Sequence, residues 1–174
     1  MDKNADMRDR YERLIRVCVA NAEPVIVIWG PGRYKAQDYQ KRKRLRKVIQ
    51  GEVPNGRVIF PEDHEVQKAS SEVLGGDDIV ATELLQALDA DIIIALDISA
   101  AVGEEVARYS AYPKVVGKLF VIAPEEHKFG YQEAIRNNVI VKFVTTAEMV
   151  SCEKTTEFCV KHVRAWCVEK YASR

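Results

Sequence analysis

The strongest constraint in this sequence is a set of five short apolar runs, each about as long as one β-strand and separated by segments of helical periodicity. The runs begin near Val25, Val58, Ile92, Leu119 and Val139. Residues 25–28 and 92–96 are continuously apolar and mostly β-branched, which is typical of strands that are covered on both faces. Strands that alternate with helices, without hairpin signals, form parallel sheets through right-handed crossovers. The sequence therefore predicts a five-stranded parallel sheet with helices on both faces.

Helical periodicity between the runs completes this pattern. Helices are predicted over about residues 7–22, 37–50, 78–88 and 125–137, and another runs through Glu105 and ends before Pro113. Thr145 starts a capping-box pattern and opens one last helix, in which Cys159 and Trp166 are expected to be buried. The predicted fold class is α/β, a three-layer α/β/α sandwich of the Rossmann-like or flavodoxin-like kind.

The size and charge of the chain exclude several classes of protein. Its 174 residues suffice for one domain with a proper core, so residues 1–174 are expected to form a single domain. The 26 basic and 26 acidic side chains cancel, which gives no strong signal for nucleic-acid binding. No apolar run approaches the roughly 20 residues that cross a bilayer, and the N-terminal segment lacks the apolar stretch of a secretion signal. We therefore expect no membrane partner and a cytoplasmic location.

The four cysteines lack the close pairing that zinc sites and redox motifs use. Cys152, Cys159 and Cys167 follow one another at offsets of seven and eight residues, which is helical spacing. We therefore expect them to face a core as small apolar groups, rather than to form disulfides or a metal site. No cofactor is predicted.

Open parallel sheets bind ligands beyond the carboxyl ends of their strands, near the point where the strand order reverses. This rule selects residues 30–34, 61–64, 97–105 and 123–127 as candidate site segments. The first contains Gly30, Pro31, Gly32, Arg33 and Tyr34, whose backbone N–H groups could hold a phosphate or a ribose. It matches neither a P-loop nor the GxGxxG fingerprint, and a tight strand-to-helix turn is the alternative interpretation.

Charged side chains follow the first two strands. Six basic residues lie between positions 41 and 47, and most are expected to form a solvated face because successive helix residues point in different directions. Arg42 is expected to reach the site, because it lies one turn after Asp38 near the start of its helix. Glu62 and Asp63 stand just beyond the second strand and are predicted to contact the ligand.

The segment after the third strand places a carboxylate, a hydroxyl and a helix start within a few residues. Asp97, Ser99, Gly103, Glu104 and Glu105 all lie in it. Acids in the first turn of a helix also offset its dipole, which would account for at least one of the two glutamates. A carboxylate at a pocket wall can act as a nucleophile or stabilise an oxocarbenium ion when a glycosidic bond breaks. The helix start is expected to keep Glu105 ionised.

The three histidines give weaker signals. His64 and His127 each follow a strand end and could transfer protons, but the sequence identifies no partner for either, so surface or capping roles are favoured. His162 lies beside core positions of the last helix and is expected to be structural.

Three of these segments together resemble the nucleoside 2-deoxyribosyltransferase-like superfamily. The resemblance rests on the GPG-type loop after strand one, FPED after strand two, and an acidic strand end followed by Ser, Gly and a Glu-x-Ala-x-Tyr helix, and it covers roughly residues 24–112. The broader group includes TIR-like and SLOG-type nucleotide-processing or nucleotide-sensing domains. In the transferases, an Asp and a Gly precede a Glu that attacks C1 of the sugar, and the matching positions are Asp97, Gly103 and Glu105. Gly103 directly precedes Glu104, unlike the transferase pattern, so Glu104 remains the alternative catalytic acid.

The resemblance implies an enzyme that processes the N-glycosidic bond of a nucleoside, a nucleotide or NAD. Glu105 and Asp97 are the predicted catalytic residues. The predicted substrate-binding residues are Gly30, Pro31, Gly32, Arg33, Tyr34, Arg42, Glu62, Asp63, Ser99, Gly103 and Glu104. The alternatives are a non-catalytic nucleotide sensor of the SLOG type and a TIR-like module that works by self-assembly. A homo-oligomer is expected, and the need for a partner protein stays open.

Overall fold

A computed structural model describes residues 3–75, 78–131 and 137–174, apart from the side chains of residues 3, 4, 150 and 151. Its α-helices are Lys3–Ala20 (α1), Ala36–Glu52 (α2), His64–Leu74 (α3), Ile79–Asp89 (α4), Ala100–Tyr109 (α5), Pro113–Val116 (α6), Thr146–Ser151 (α7) and Glu153–Ala172 (α8). Its strands are Val25–Trp29 (β1), Arg57–Ile59 (β2), Ile92–Leu96 (β3), Leu119–Pro124 (β4) and Ile140–Val144 (β5). A 3₁₀ helix spans Glu125–Tyr131.

The five strands form one sheet in the order β2-β1-β3-β4-β5, and every neighbouring pair is parallel. Ile26 of β1 lies opposite Ile92 of β3, and Ile93 of β3 lies opposite Leu119 of β4. The predicted three-layer α/β/α sandwich is confirmed. Because β2 and β3 lie on opposite sides of β1, the strand order reverses between β1 and β3, and this is the point where such sheets bind ligands.

Alternating side chains of the central strands fill two cores, one on each face of the sheet. Ile26 and Ile28 of β1 face the core that α1, α2 and α8 cover. Val27 and Trp29 face the opposite core, which is built with α4, α5, α6 and the 3₁₀ helix. Every residue of β3 is buried, as expected for a central strand covered on both faces.

Helix α3 was not predicted from the sequence. Ser70 is its one buried residue, and its apolar residues Val73 and Leu74 are exposed, so this helix contributes little to either core. The helix predicted over residues 125–137 begins as the 3₁₀ helix, and residues 132–136 lie outside the described part of the chain. Asp78 caps the start of α4, because its carboxylate accepts the N–H of Ala81 at 3.0 Å.

The predicted final helix is divided into α7 and α8. The capping box of Thr145 and Glu148 opens α7 as expected, but Cys152 adopts a left-handed conformation with φ of 61° and separates the two helices. Cys159 is fully buried, whereas the prediction for Trp166 is wrong: its ring is only partly buried at the edge of the core. The ammonium of Lys170 lies over this ring, 5.8 Å from its centre.

All four cysteines are free thiols, and Cys18, Cys159 and Cys167 are buried. Burial raises the pKa of the Cys159 thiol and raises the pKa of Cys167 to about 11, which keeps both neutral and unreactive. Among the described residues, no helix combines the length and the apolar character that crossing a membrane requires.

Candidate functional site at the strand-order switch point

The strand order reverses between β1 and β3, and we call this place the switch point. The loops that follow these two strands separate there and border a cleft of about 640 Å³, the switch-point cleft. Its walls also include side chains from α2, α3 and α4 and from the first half of α5. The structure brings eight of the predicted site residues together here: Gly30, Gly32, Arg33, Tyr34, Arg42, Glu62, Ser99 and Glu105.

Arg42 and Glu62 form a bidentate ion pair at the wall of this cleft. Nη1 of Arg42 donates to Oε1 of Glu62 at 2.6 Å, and Nη2 donates to Oε2 at 3.0 Å. Nε and Nη2 also donate to the backbone carbonyl of Ile28 at 3.1 and 2.5 Å, and the guanidinium lies 4.1 Å from the centre of the Phe60 ring. Arg42 is only 1% exposed. Because these partners occupy the guanidinium, Arg42 shapes the cleft and has little capacity left for a ligand phosphate.

The glycine at the end of β1 allows this arginine to pass beneath the loop. A Cβ on Gly30 would lie 3.1 Å from Cδ of Arg42 and 3.6 Å from Cβ of Leu96, so a larger residue would displace the arginine. Pro31, which was predicted to contact the ligand, is instead buried. Its carbonyl accepts a long hydrogen bond of 3.5 Å from Nη1 of Arg42.

Two further residues predicted to bind the ligand lie outside the switch-point cleft. The carboxylate of Asp63 accepts a hydrogen bond from the N–H of Phe60 at 2.9 Å and pairs with Arg46 at 2.8 Å. It therefore stabilises the chain just after β2 and does not face the cleft. Glu104 is exposed and does not line the cleft, because one residue along α5 turns its side chain about 100° away from that of Glu105.

Asp97 and Gly103 lie on the other side of α5. They line a second cleft of about 460 Å³, bordered by α5 and the 3₁₀ helix, at the ends of β3 and β4. Positions two apart on a helix point in nearly opposite directions, so Gly103 and Glu105 cannot share one wall. The prediction that Asp97 acts beside Glu105 is therefore corrected: α5 separates the two carboxylates.

Glu105 is a partly buried acid in the switch-point cleft. Burial raises the pKa of its carboxyl to about 7, the negative charge of Glu83 adds to this rise, and Arg42 and Arg108 oppose it. The expectation that the helix start keeps Glu105 ionised is wrong. Helix α5 begins at Ala100 and has no acid in its first turn, so Glu105 lies beyond the reach of the favourable dipole end. The group therefore changes charge near neutral pH.

Glu83 is an acidic residue of the cleft that the sequence did not predict. It projects from α4 into the switch-point cleft and accepts a hydrogen bond of 2.7 Å from the hydroxyl of Tyr109. Burial, followed by Glu83, raises the pKa of Tyr109 above its ordinary value, so this hydroxyl remains a neutral donor. Glu83 lies within α4 and follows no strand end, so the rule that selected the other site segments does not select it.

Ser99 supplies an unused polar group to the switch-point cleft. Its side-chain oxygen is buried and has no hydrogen-bond partner among the described residues, and it does not cap α5 although it occupies the N-cap position. A buried hydroxyl without a partner is destabilising unless a ligand or water completes it. The unpartnered Ser99 hydroxyl is therefore a candidate polar contact for a ligand next to the start of α5.

His64 also lines the switch-point cleft, at the first residue of α3, with an exposed side chain. His127 is different, because Nδ1 of its ring lies 2.7 Å from Oδ2 of the buried Asp97. The sequence had identified no partner for His127, since the pair joins residues 30 positions apart. His162 stacks on Phe120 at 4.1 Å between ring centres, and burial lowers its pKa to about 4, as a structural histidine requires.

Within the described ranges of the chain, no three His, Cys, Asp or Glu side chains form a group that could hold a metal ion.

Comparison with known proteins adds little to this description. No protein-family model matches the sequence, and no curated protein matches it. A solved structure of a conserved protein from Enterococcus faecalis V583 is similar, with 16% identity over 83% of this chain and 99% of that chain and a TM-score of 0.47. A likeness at this score says nothing about function. The fold assignment rests on the strand order and pairing described above.

Proposed function

We propose that the switch-point cleft binds a nucleoside and that Glu105 acts at C1 of its sugar to break the N-glycosidic bond. The observation that carries the proposal is the position of Glu105: a partly buried carboxyl with a pKa of about 7, in the cleft where the strand order reverses. The electron pair of the broken bond leaves with the base, which takes a proton from water, and positive charge develops on the sugar until the remaining hydroxide adds to C1. A fixed carboxylate beside C1 stabilises that charge more in the transition state than in the ground state.

Other side chains of the cleft fit a sugar and a base. The unpartnered hydroxyl of Ser99 can bond a sugar hydroxyl. The Glu83 carboxylate, which the Tyr109 hydroxyl holds in place, can accept a hydrogen bond from a second sugar hydroxyl. The ring of Tyr34 is 76% exposed at the cleft wall, so it is free to stack on a planar base.

The charges of the cleft favour a nucleoside over a nucleotide. Arg42 and Glu62 neutralise each other, which leaves Glu83 and Glu105 facing the ligand and Arg33 as the other cation among the described lining residues. Arg33 is exposed, so solvent screens its charge. A phosphate would therefore meet more negative than positive charge, whereas a neutral nucleoside would not.

The experiment that tests this function is incubation of the pure protein with nucleosides and with their 5′-monophosphates, followed by chromatography of the free base. We expect base release from at least one nucleoside and slower release from its monophosphate. Glu105→Gln should lower turnover by about two orders of magnitude or more while leaving nucleoside affinity nearly unchanged.

Glu104→Gln is the matched control, because Glu104 is exposed one position away and outside the cleft. This variant should keep wild-type turnover. Loss of activity in Glu104→Gln and not in Glu105→Gln would move the catalytic role to Glu104. Saturable nucleoside binding without base release from the wild-type protein would instead favour the sensor interpretation.

A further inference from the structure

The second cleft contains a buried acidic group that the proposed function does not use. Asp97 is 2% exposed, and its carboxylate has two polar neighbours: Nδ1 of His127 lies 2.7 Å from Oδ2, and the hydroxyl of Tyr131 lies beside the same group. The other carboxylate oxygen, Oδ1, lies 3.4 Å from the point where a Cβ of Gly103 would stand. The carboxylate therefore sits against α5 at the position where the helix has no side chain.

A second polar group of this cleft, the hydroxyl of Tyr131, lies beside the Asp97 carboxylate. Tyr131 is 6% exposed, and no described residue donates a hydrogen bond to its buried hydroxyl oxygen. Burial, followed by the hydrogen bond that the hydroxyl directs at Asp97 and by the charge of that carboxylate, raises the pKa of Tyr131 above its ordinary value, so the hydroxyl stays neutral. A neutral hydroxyl beside a carboxylate offers two oxygen acceptors on one side of the cleft.

The α5 side of this cleft is mostly small and apolar, and Ser110 and Asn137 add polar groups at its edge. Ala100, Gly103, Val106 and Ala107 supply the α5 side, and no lysine or arginine lines the cleft within the described ranges. Buried carboxylates are stable when a cation pairs with them, and His127 occupies only Oδ2. The cavity of about 460 Å³ has room for a small ring-sized molecule.

We propose that the second cleft binds a small organic cation, a flat amidinium or primary ammonium on a compact apolar body, through the Asp97 carboxylate and the Tyr131 hydroxyl. One N–H of the cation donates to Oδ1 of Asp97 and another to the hydroxyl oxygen of Tyr131. The apolar body packs against the alanines of α5. This site is independent of the proposed function, because α5 separates it from Glu105.

The test uses three isosteric probes at pH 8: benzamidine as the cation, benzamide as its neutral analogue and benzoate as the anion. Calorimetry should show saturable binding of benzamidine at least about tenfold tighter than benzamide, and no binding of benzoate. The Asp97→Asn variant should bring the benzamidine and benzamide affinities within about twofold of each other. Equal affinities of the two probes for the wild-type protein, or no saturable binding of benzamidine up to millimolar concentration, would overturn the proposal.

The three histidines locate the bound probe. His127 lines the second cleft, His64 lines the switch-point cleft, and His162 is stacked on Phe120 away from both. Benzamidine should shift the imidazole carbon resonance of His127 in a histidine-labelled protein and leave that of His64 unchanged. A shift confined to His64 would place the probe among the acids of the other cleft and would contradict the proposal.

Two variants separate binding from folding. Ala107→Phe fills the second cleft from an exposed helix position and should abolish benzamidine binding without lowering Tm, even if Asp97→Asn fails to fold. Glu105→Gln removes an acid from the other cleft and should leave the benzamidine Kd unchanged. Loss of binding in Glu105→Gln with retention in Ala107→Phe would overturn the assignment.

Discussion

Gly103 and Glu105 lie two positions apart on α5 and line two different clefts. The helix is therefore a wall of both clefts, with the partly buried Glu105 on the β1 side and Gly103, next to the Asp97 carboxylate, on the β4 side. This arrangement follows from helical geometry, since two residues span about 200° of rotation. It places Asp97 and Glu105 in separate sites.

The ion pair of Arg42 and Glu62 should be a major stabilising contact of the cleft. Arg42→Met would leave the Glu62 carboxylate and the Ile28 carbonyl without their buried donor. We expect a loss of about 2 to 4 kcal/mol in the free energy of unfolding, measured by urea denaturation. Arg44→Met is the control at an exposed position of the same helix and should change stability by less than about 0.5 kcal/mol. Equal effects of the two variants would contradict this account of the pair.

Gly30 should be intolerant of a side chain. Gly30→Ala would place a methyl group 3.1 Å from Cδ of Arg42, and we expect it to lower the free energy of unfolding by about 1 kcal/mol. Gly51→Ala provides the comparison, because nothing lies within 4 Å of its added Cβ and alanine favours the helix. Gly51→Ala should leave the protein as stable or slightly more stable. A harmless Gly30→Ala would show that the arginine can move aside.

The raised pKa of Glu105 should make stability depend on pH. The pKa of this carboxyl is 4.5 in the unfolded chain and about 7 in the folded protein. Its contribution to the free energy of unfolding is therefore present below pH 4.5 and is lost as the pH rises through that window. The Glu105→Gln variant does not show this decrease, because glutamine does not ionise. The free energy of unfolding of the variant relative to wild type should therefore increase between pH 4.5 and pH 8, by on the order of 1 to 2 kcal/mol after allowance for solvent screening. A difference that stays constant over this range would mean that the pKa is ordinary.

The expectation of a homo-oligomer stays a prediction. The switch-point cleft is open to solvent, and Tyr34 at its wall is 76% exposed, so a second copy could complete the site. Light scattering at micromolar concentration should give a mass of at least a dimer, and Tyr34→Arg should lower that mass. A monomer under these conditions would remove this expectation.

The sequence predicted the sheet well, because its five strands are short, apolar and mostly continuous. The β-branched runs at β1 and β3 can be read without knowledge of their neighbours, and the switch-point rule then leads to Gly30, Glu62 and Glu105. What it could not predict depends on distant contacts. Glu83 enters the cleft from α4, and His127 meets Asp97 across 30 residues.

The local errors have a common physical cause. Asp97 and Gly103 were grouped with Glu105 because they are close along the chain, yet the helix between them divides the space. The break at Cys152 was missed for a similar reason, since one left-handed residue interrupts a continuous helical pattern.

The central claim is that C1 of a nucleoside sugar lies against Glu105 in the switch-point cleft. The most direct measurement is a crystal structure of the Glu105→Gln variant soaked with a nucleoside that the wild-type protein cleaves. We predict C1 of the sugar within about 3.5 Å of the Gln side chain at position 105, near-attack spacing, with the Ser99 hydroxyl bonded to a sugar oxygen. A nucleoside bound in the second cleft, or one whose sugar lies away from position 105, would contradict the account.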